Sequence, residues 1–193
     1  MSRNDRIRDM LKLFQQWMAP APEMDVAHSL YDQVVSAARQ PVFYQSYGVP
    51  DDLDGRFEMI TLHEHLVLRR LRREGTRYAD LAQAVFDVMF TDMDRSLRLM
   101  GVSDISIGKR VKTMAKAFYG RVAAYDGGLD AEDNGAALHQ ALDRNLFGTT
   151  GGGGAATPLI AAYLRACDRM LLDHSGDELA AGRLVWAPAP TAA

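Results

Sequence analysis

The chain has 193 residues, enough for one ordinary domain with a core of its own. Hydrophobic residues at 48% and charged residues at 24% are the proportions of a water-exposed globular fold, and a net charge of −3 excludes a general polyanion binder. One cysteine, Cys167, excludes an internal disulfide and a cysteine-based zinc cage, which fits a reducing compartment.

In chain order, Ile7, Met10, Leu11, Phe14, Trp17 and Met18 recur at i, i+3, i+4 and i+7, which predicts an amphipathic helix over residues 1–18. Its polar face carries Arg3, Arg6, Arg8 and Lys12 against Asp5 and Asp9. A basic amphipathic helix with an aromatic anchor suits a membrane interface, so these six apolar residues are membrane-contact candidates. The competing expectation is that they pack back on the domain or on a second copy. Residues 19–23 then read as a short linker, because Pro20 and Pro22 break the pattern.

Residues 24–186 are expected to form one helical domain. A helix from about Met24 to Gln40 precedes a short turn of helix opened by Pro41 and closed by Gly48. Asp54 is the candidate N-cap of a helix ending near Gly75. Thr76 or Asp80 starts a helix through Met100, with Gly101 beyond it. The next runs from about Ser106 to Tyr125 and stops at Gly127-Gly128. A shorter one spans Glu132–Phe147. The glycine run within residues 149–156 predicts a flexible loop. A last helix begins near Pro158, and the Pro/Ala-rich residues 187–193 predict a disordered tail. No segment alternates as a strand does, so the expected class is all-α: a single compact domain of about six to eight helices. No apolar run approaches the roughly 18 residues that cross a bilayer, and the N-terminus lacks a secretory signal pattern. The expected location is cytoplasmic, at most peripheral on the inner membrane.

Helix Phe57–Arg73 is apolar over most of its circumference, which predicts a central position. Glu58, Thr61, His65, Arg69 and Arg72 form the remaining polar strip. His63 falls between apolar sectors and reads first as a hydrogen-bonded core histidine. Glu64 falls among apolar residues, where a carboxylate needs a partner or water. In the following helix, Asp92 sits in an apolar sector, whereas Asp94 and Arg95 lie on the polar side. Arg121 flanks the core stripe of the helix after it, which also carries Phe118, Val122 and Tyr125. These positions predict that Asp92 and Arg121 pair directly or through one more residue, with Asp92 truncation costing about 3 kcal/mol if the pair is buried.

Nothing in the spacing assembles catalytic machinery. His63 and His65 are two apart, so their side chains diverge on a helix and cannot chelate one metal. There is no phosphate-binding loop and no nucleophile elbow. No metal, cofactor or catalytic residue is therefore assigned. Residues 56–125 carry 13 Lys/Arg against 8 Asp/Glu, and residues 126–193 carry 4 against 9. The exposed strip Lys109, Lys112 and Lys116 would suit ribosomal RNA phosphates, but nothing indicates DNA.

Four blocks carry a likeness to a known family: residues 39–62, 86–101 (Phe86-Asp-Val-Met-Phe-Thr-Asp-Met-Asp-Arg-Ser-Leu-Arg-Leu-Met-Gly101), 117–126 (Ala117-Phe-Tyr-Gly-Arg-Val-Ala-Ala-Tyr-Asp126) and 142–148. In unbroken order from about Tyr31 to Gly148, the chain resembles the ubiquinol–cytochrome c chaperone family. Mitochondrial members hold newly made cytochrome b for assembly of respiratory complex III. They act with a small partner protein and associate with the translating ribosome. The resemblance implies a chaperone whose client is cytochrome b or another apolar membrane protein. The structural or binding candidates are His63, Asp92, Asp94, Arg95, Phe118, Tyr119, Arg121 and Tyr125. The alternatives are a helical enzyme of unknown reaction, with His63 and the acids near Asp92 as its polar groups, and a membrane- or ribosome-docking scaffold.

Overall fold

The computed structural model describes residues 22–190, and these form eight helices and no strand. They are α1 (Pro22–Ala38), α2 (Pro41–Gln45), α3 (Leu53–Arg72), α4 (Ala79–Leu99), α5 (Asp104–Asp130), α6 (Ala136–Asn145), α7 (Ala156–Asp173) and α8 (Gly176–Ala180). The amphipathic segment through Met18 and the linker through residue 21 lie outside the described residues, as do residues 191–193. None of the described helices is long and apolar enough to cross a membrane.

α3 is the axis of the fold. It packs against α1, α4, α5, α7 and α8, and from Phe57 to Leu71 every residue is buried. Eight large apolar side chains on this one helix leave water, each contributing about 2 kcal/mol of transfer free energy. Asp52 caps its N-terminus, its carboxylate accepting from the Gly55 N–H at 2.8 Å. The expected cap, Asp54, lies instead in the first turn, where its charge still complements the helix dipole. Arg70 crosses to the C-terminal end of α7 and donates to the carbonyls of Leu171 (3.0 Å) and His174 (2.9 Å), acceptors that a helix end leaves free. α1 covers α3 and α4, while α6 and α7 pack on each other and close the other side.

α5 does not stop at Gly127-Gly128 but continues to Asp130. Gly128 is there for close approach: a Cβ at this position would lie 2.7 Å from the Leu138 Cα of α6. Helix termination by glycine works at Gly75 and Gly101, which have φ of +68° and +79° just beyond α3 and α4. The glycine loop after α6 is tied to Asp143, whose carboxylate accepts from the Gly153 N–H at 2.9 Å and from the Thr157 hydroxyl at 2.5 Å. Past α8 the chain crosses the core again: Trp186 meets His63 edge-on at 5.2 Å between centroids, and Ala187 is buried.

Candidate functional site

Apart from Arg72, the polar strip of α3 is buried. His65 Nε2–H donates to Asp126 (2.7 Å), and Arg69 donates to Asp126 (2.9 Å), to Asp130 and to Asp168 (3.2 Å). Arg72 reaches Asp126 from the outside at 2.9 Å. Thus α5 and α7 roof the strip with carboxylates. Burial pushes the His65 imidazole below its ordinary pKa, although Asp126 opposes this. Burial would raise Asp126, but hydrogen bonds from His65 and Arg69 outweigh it and hold that carboxyl well below the usual range. This network fastens three helices together. Sequence reasoning passed over it, although complementary i, i+4 pairs (His65/Arg69 on α3, Asp126/Asp130 on α5) were there to be matched.

His63 is fully buried, with Nδ1 against the Met59 carbonyl at 2.8 Å and Nε2 against the Tyr163 hydroxyl at 2.9 Å. It is a satisfied core histidine, as expected. Desolvation lowers its pKa to about 4, so it is neutral at physiological pH. The neighbouring Glu64 is also fully buried, and neither carboxyl oxygen has a hydrogen-bond partner among the described residues. Burial raises its pKa well above the ordinary value, because the charged form would be desolvated without a partner.

The expected Asp92–Arg121 bridge is not made. Arg121 Nε donates to Glu58 at 2.7 Å and Nη2 engages the same carboxylate. Asp92 accepts instead from the Tyr31 hydroxyl at 2.9 Å. Asp92 faces Tyr31 of α1, while Glu58, one turn into α3, faces the side of α5 that carries Arg121. Asp94 pairs with Arg98 on the outer side of α4 at 2.6 Å, and the Arg95 beside it is exposed. Hence the acids and bases singled out on α4 and α5 fall into separate places and form no joint centre. Among the described residues, no group of three or more His, Cys, Asp or Glu is placed to hold a metal ion.

What the structure does bring together is aromatic. Across α4 and α5, Phe86 lies 5.4 Å from Phe118 and 5.6 Å from Tyr119, and Phe90 lies 6.1 Å from Phe118, between ring centroids. Phe86, Phe118 and Tyr119 border a groove of about 280 Å³ whose floor is Leu68, Leu71, Ala82 and Val122; Phe90 lies outside it. Tyr119 is 61% exposed and stands on its rim. The opposite face of α5 lines a larger cavity of about 900 Å³ with the start of α3 and the end of α6. Its α5 residues include Ser106, Lys109, Thr113, Ala117 and Arg121, one turn apart; Lys109 therefore belongs to a cavity wall rather than to an outward strip with Lys112 and Lys116. Tyr125 is buried beyond Arg121, and burial raises its pKa.

The sequence profile of the Ubiquinol-cytochrome C chaperone family matches residues 45–186. The chain belongs to this family. It is a family of chaperones, not of enzymes. The match extends beyond Gly148 to Trp186, taking in α7, α8 and the segment that returns over His63. The chain is 26% identical over 147 residues to ubiquinol-cytochrome-c reductase complex assembly factor 1 of Xenopus laevis, covering 76% of this chain and 72% of that protein. It is also 26% identical over 160 residues to the Mus musculus protein of that name, spanning 54% of its length. Among solved structures, the Cbp3 homolog from Brucella abortus superposes with a TM-score of 0.78 at 37% identity, over 93% of this chain and 97% of that one.

Proposed function

We propose that this protein is an assembly chaperone for ubiquinol–cytochrome c reductase, and that it holds an apolar helix of newly made cytochrome b in the groove between α4 and α5. The observation that carries the reading is the aromatic groove itself. Three aromatic rings, Phe86, Phe118 and Tyr119, line it over an aliphatic floor, and Tyr119 stands exposed at its rim. A groove of this shape takes two or three successive side chains from one face of a helix, in the manner of helix-in-groove recognition. Exposed apolar grooves are costly unless used, and aromatic anchors concentrate binding energy. The names of the frog and mouse relatives supply the assembly pathway. No step of such a cycle needs a nucleotide or a metal, because binding and release follow from competition with the client's final partners.

The test is co-expression with cytochrome b and affinity capture of the chaperone from detergent extract. Tyr119→Asp alters the exposed rim without touching the core, so the variant should fold normally by circular dichroism yet capture several-fold less cytochrome b. Equal capture by Tyr119→Asp and the unaltered protein would remove the groove from this role.

A further inference from the structure

The 900 Å³ cavity on the other face of α5 is not needed for the groove, and its chemistry differs. Its size lies at the upper end of small-molecule sites. Phe57, Leu97, Met114 and Leu146 give it an apolar interior. Four cations line it: Lys109, Arg110, Arg121 and Arg144. Arg121 is neutralised by Glu58 at 2.7 Å. Among the described residues the other three have no carboxylate within ion-pair distance, whereas Arg69, Arg70, Arg72, Arg73 and Arg98 all do. Three unpaired cations thus face one unpaired acid, Asp54, around an apolar interior. A cation excess maintained over an apolar hollow is complementary to a molecule with an acyl body and an acidic end.

A second observation points the same way. At the turn joining α4 to α5, Leu99 and Ile105 are 80% and 95% exposed, and Met100 stands out beside them. Ile105 also forms part of the cavity wall, so this apolar tip is continuous with the cavity mouth. We propose that the cavity binds an anionic lipid. The acyl chain lies on the apolar interior, and the phosphate or carboxylate is held by Lys109, Arg110 and Arg144. The site goes beyond the client groove and does not depend on it.

The full chain is titrated by calorimetry with oleoyl lysophosphatidic acid, oleoyl lysophosphatidylcholine and inorganic phosphate, each lipid below its micelle concentration. Flotation with vesicles of phosphatidylglycerol in phosphatidylcholine forms a separate arm. Lysophosphatidic acid should bind saturably at one site, with lysophosphatidylcholine at least about tenfold weaker and phosphate alone undetectable. Ala117→Trp, which obstructs the apolar part of the cavity, should weaken binding by about tenfold or more, as should Lys109→Glu with Arg144→Glu. Both variants are checked for native circular dichroism, and the charge variant lies on the exposed lip, so it reports even if Ala117→Trp fails to fold. Saturable binding of the soluble lipid identifies a free amphiphile as the source. Flotation lost in the same variants identifies the membrane. Equal affinity for the two lysolipids, or lysophosphatidic acid binding that the charge variant leaves unchanged, would overturn the proposal.

Discussion

Replacing Arg69 by Met keeps the apolar stem in place and removes only the guanidinium that three carboxylates share. The arginine side chain is 8% exposed, so its partners were arranged around a buried charge. The three losses are unequal. Asp130 is 63% exposed and rehydrates, so its part is at most about 1 kcal/mol. Asp126 keeps Arg72 and His65. Asp168 is the most buried of the three and retains only Arg73 at 3.9 Å, so it carries the largest penalty. Removing one partner of a fully buried pair costs about 3–5 kcal/mol, and the surviving contacts place Arg69→Met near the lower end, at about 3 kcal/mol. For a domain of this size that is a fall of roughly 6–12 °C in Tm. Thermal and urea unfolding followed by circular dichroism measure it, with Asp130→Asn as the comparison, expected below about 1 kcal/mol. If Arg69→Met costs less than about 1 kcal/mol, or if Asp130→Asn costs as much, the network is not what fastens α5 and α7 to α3.

The paired glycines of α5 should respond in opposite directions. Gly128→Ala drives a Cβ into the backbone of α6 and should cost about 2 kcal/mol, whereas Gly127→Ala meets nothing within 4 Å and should gain up to about 1 kcal/mol from helix propensity; differential scanning calorimetry separates them. Because the His63 pKa is lowered in the fold, the unfolded chain binds the extra proton first, and stability falls as pH drops from 6.5 towards 4, by up to about 3 kcal/mol; His63→Gln should flatten that limb of the urea midpoint against pH. Glu64 behaves conversely. Its raised pKa means the folded state retains a proton that the unfolded chain releases, so stability falls as pH rises above the ordinary glutamate value, and Glu64→Gln should reduce that fall.

Helical periodicity alone revealed the all-α class, the central position of α3 and the buried His63, because each depends on which residues share a face. Where one helix faces another is set by interhelical geometry, and there single-helix patterns misled. Asp92 and Arg121 both looked buried and complementary, yet Tyr31 and Glu58 are their partners because α1 meets one and the start of α3 meets the other. Gly127-Gly128 read as a stop because glycine is a poor helix former, but the close packing of α6 on Gly128 overrides propensity. Phe118 belongs to the core stripe that periodicity predicts, and the structure joins it and Tyr119 to Phe86. The cavity wall was invisible beforehand: serine, lysine, threonine, alanine and arginine one turn apart carry no hydrophobic signal.

The bonds that complete α3 come from far along the chain: Tyr163 to His63, Asp168 to Arg69, and the carbonyls of Leu171 and His174 to Arg70, each about one hundred residues away. Such separations make loop closure entropically expensive and slow the search for the native arrangement. Synthesis proceeds from the N-terminus, so α3 is made long before the residues that satisfy its histidine and arginines exist. During that interval the part of its apolar circumference that meets α7 has nothing to cover it. Shortening the gene from its 3′ end into α7 should therefore leave an aggregating product rather than a smaller working domain, even though the groove residues Phe86 to Val122 would all be present.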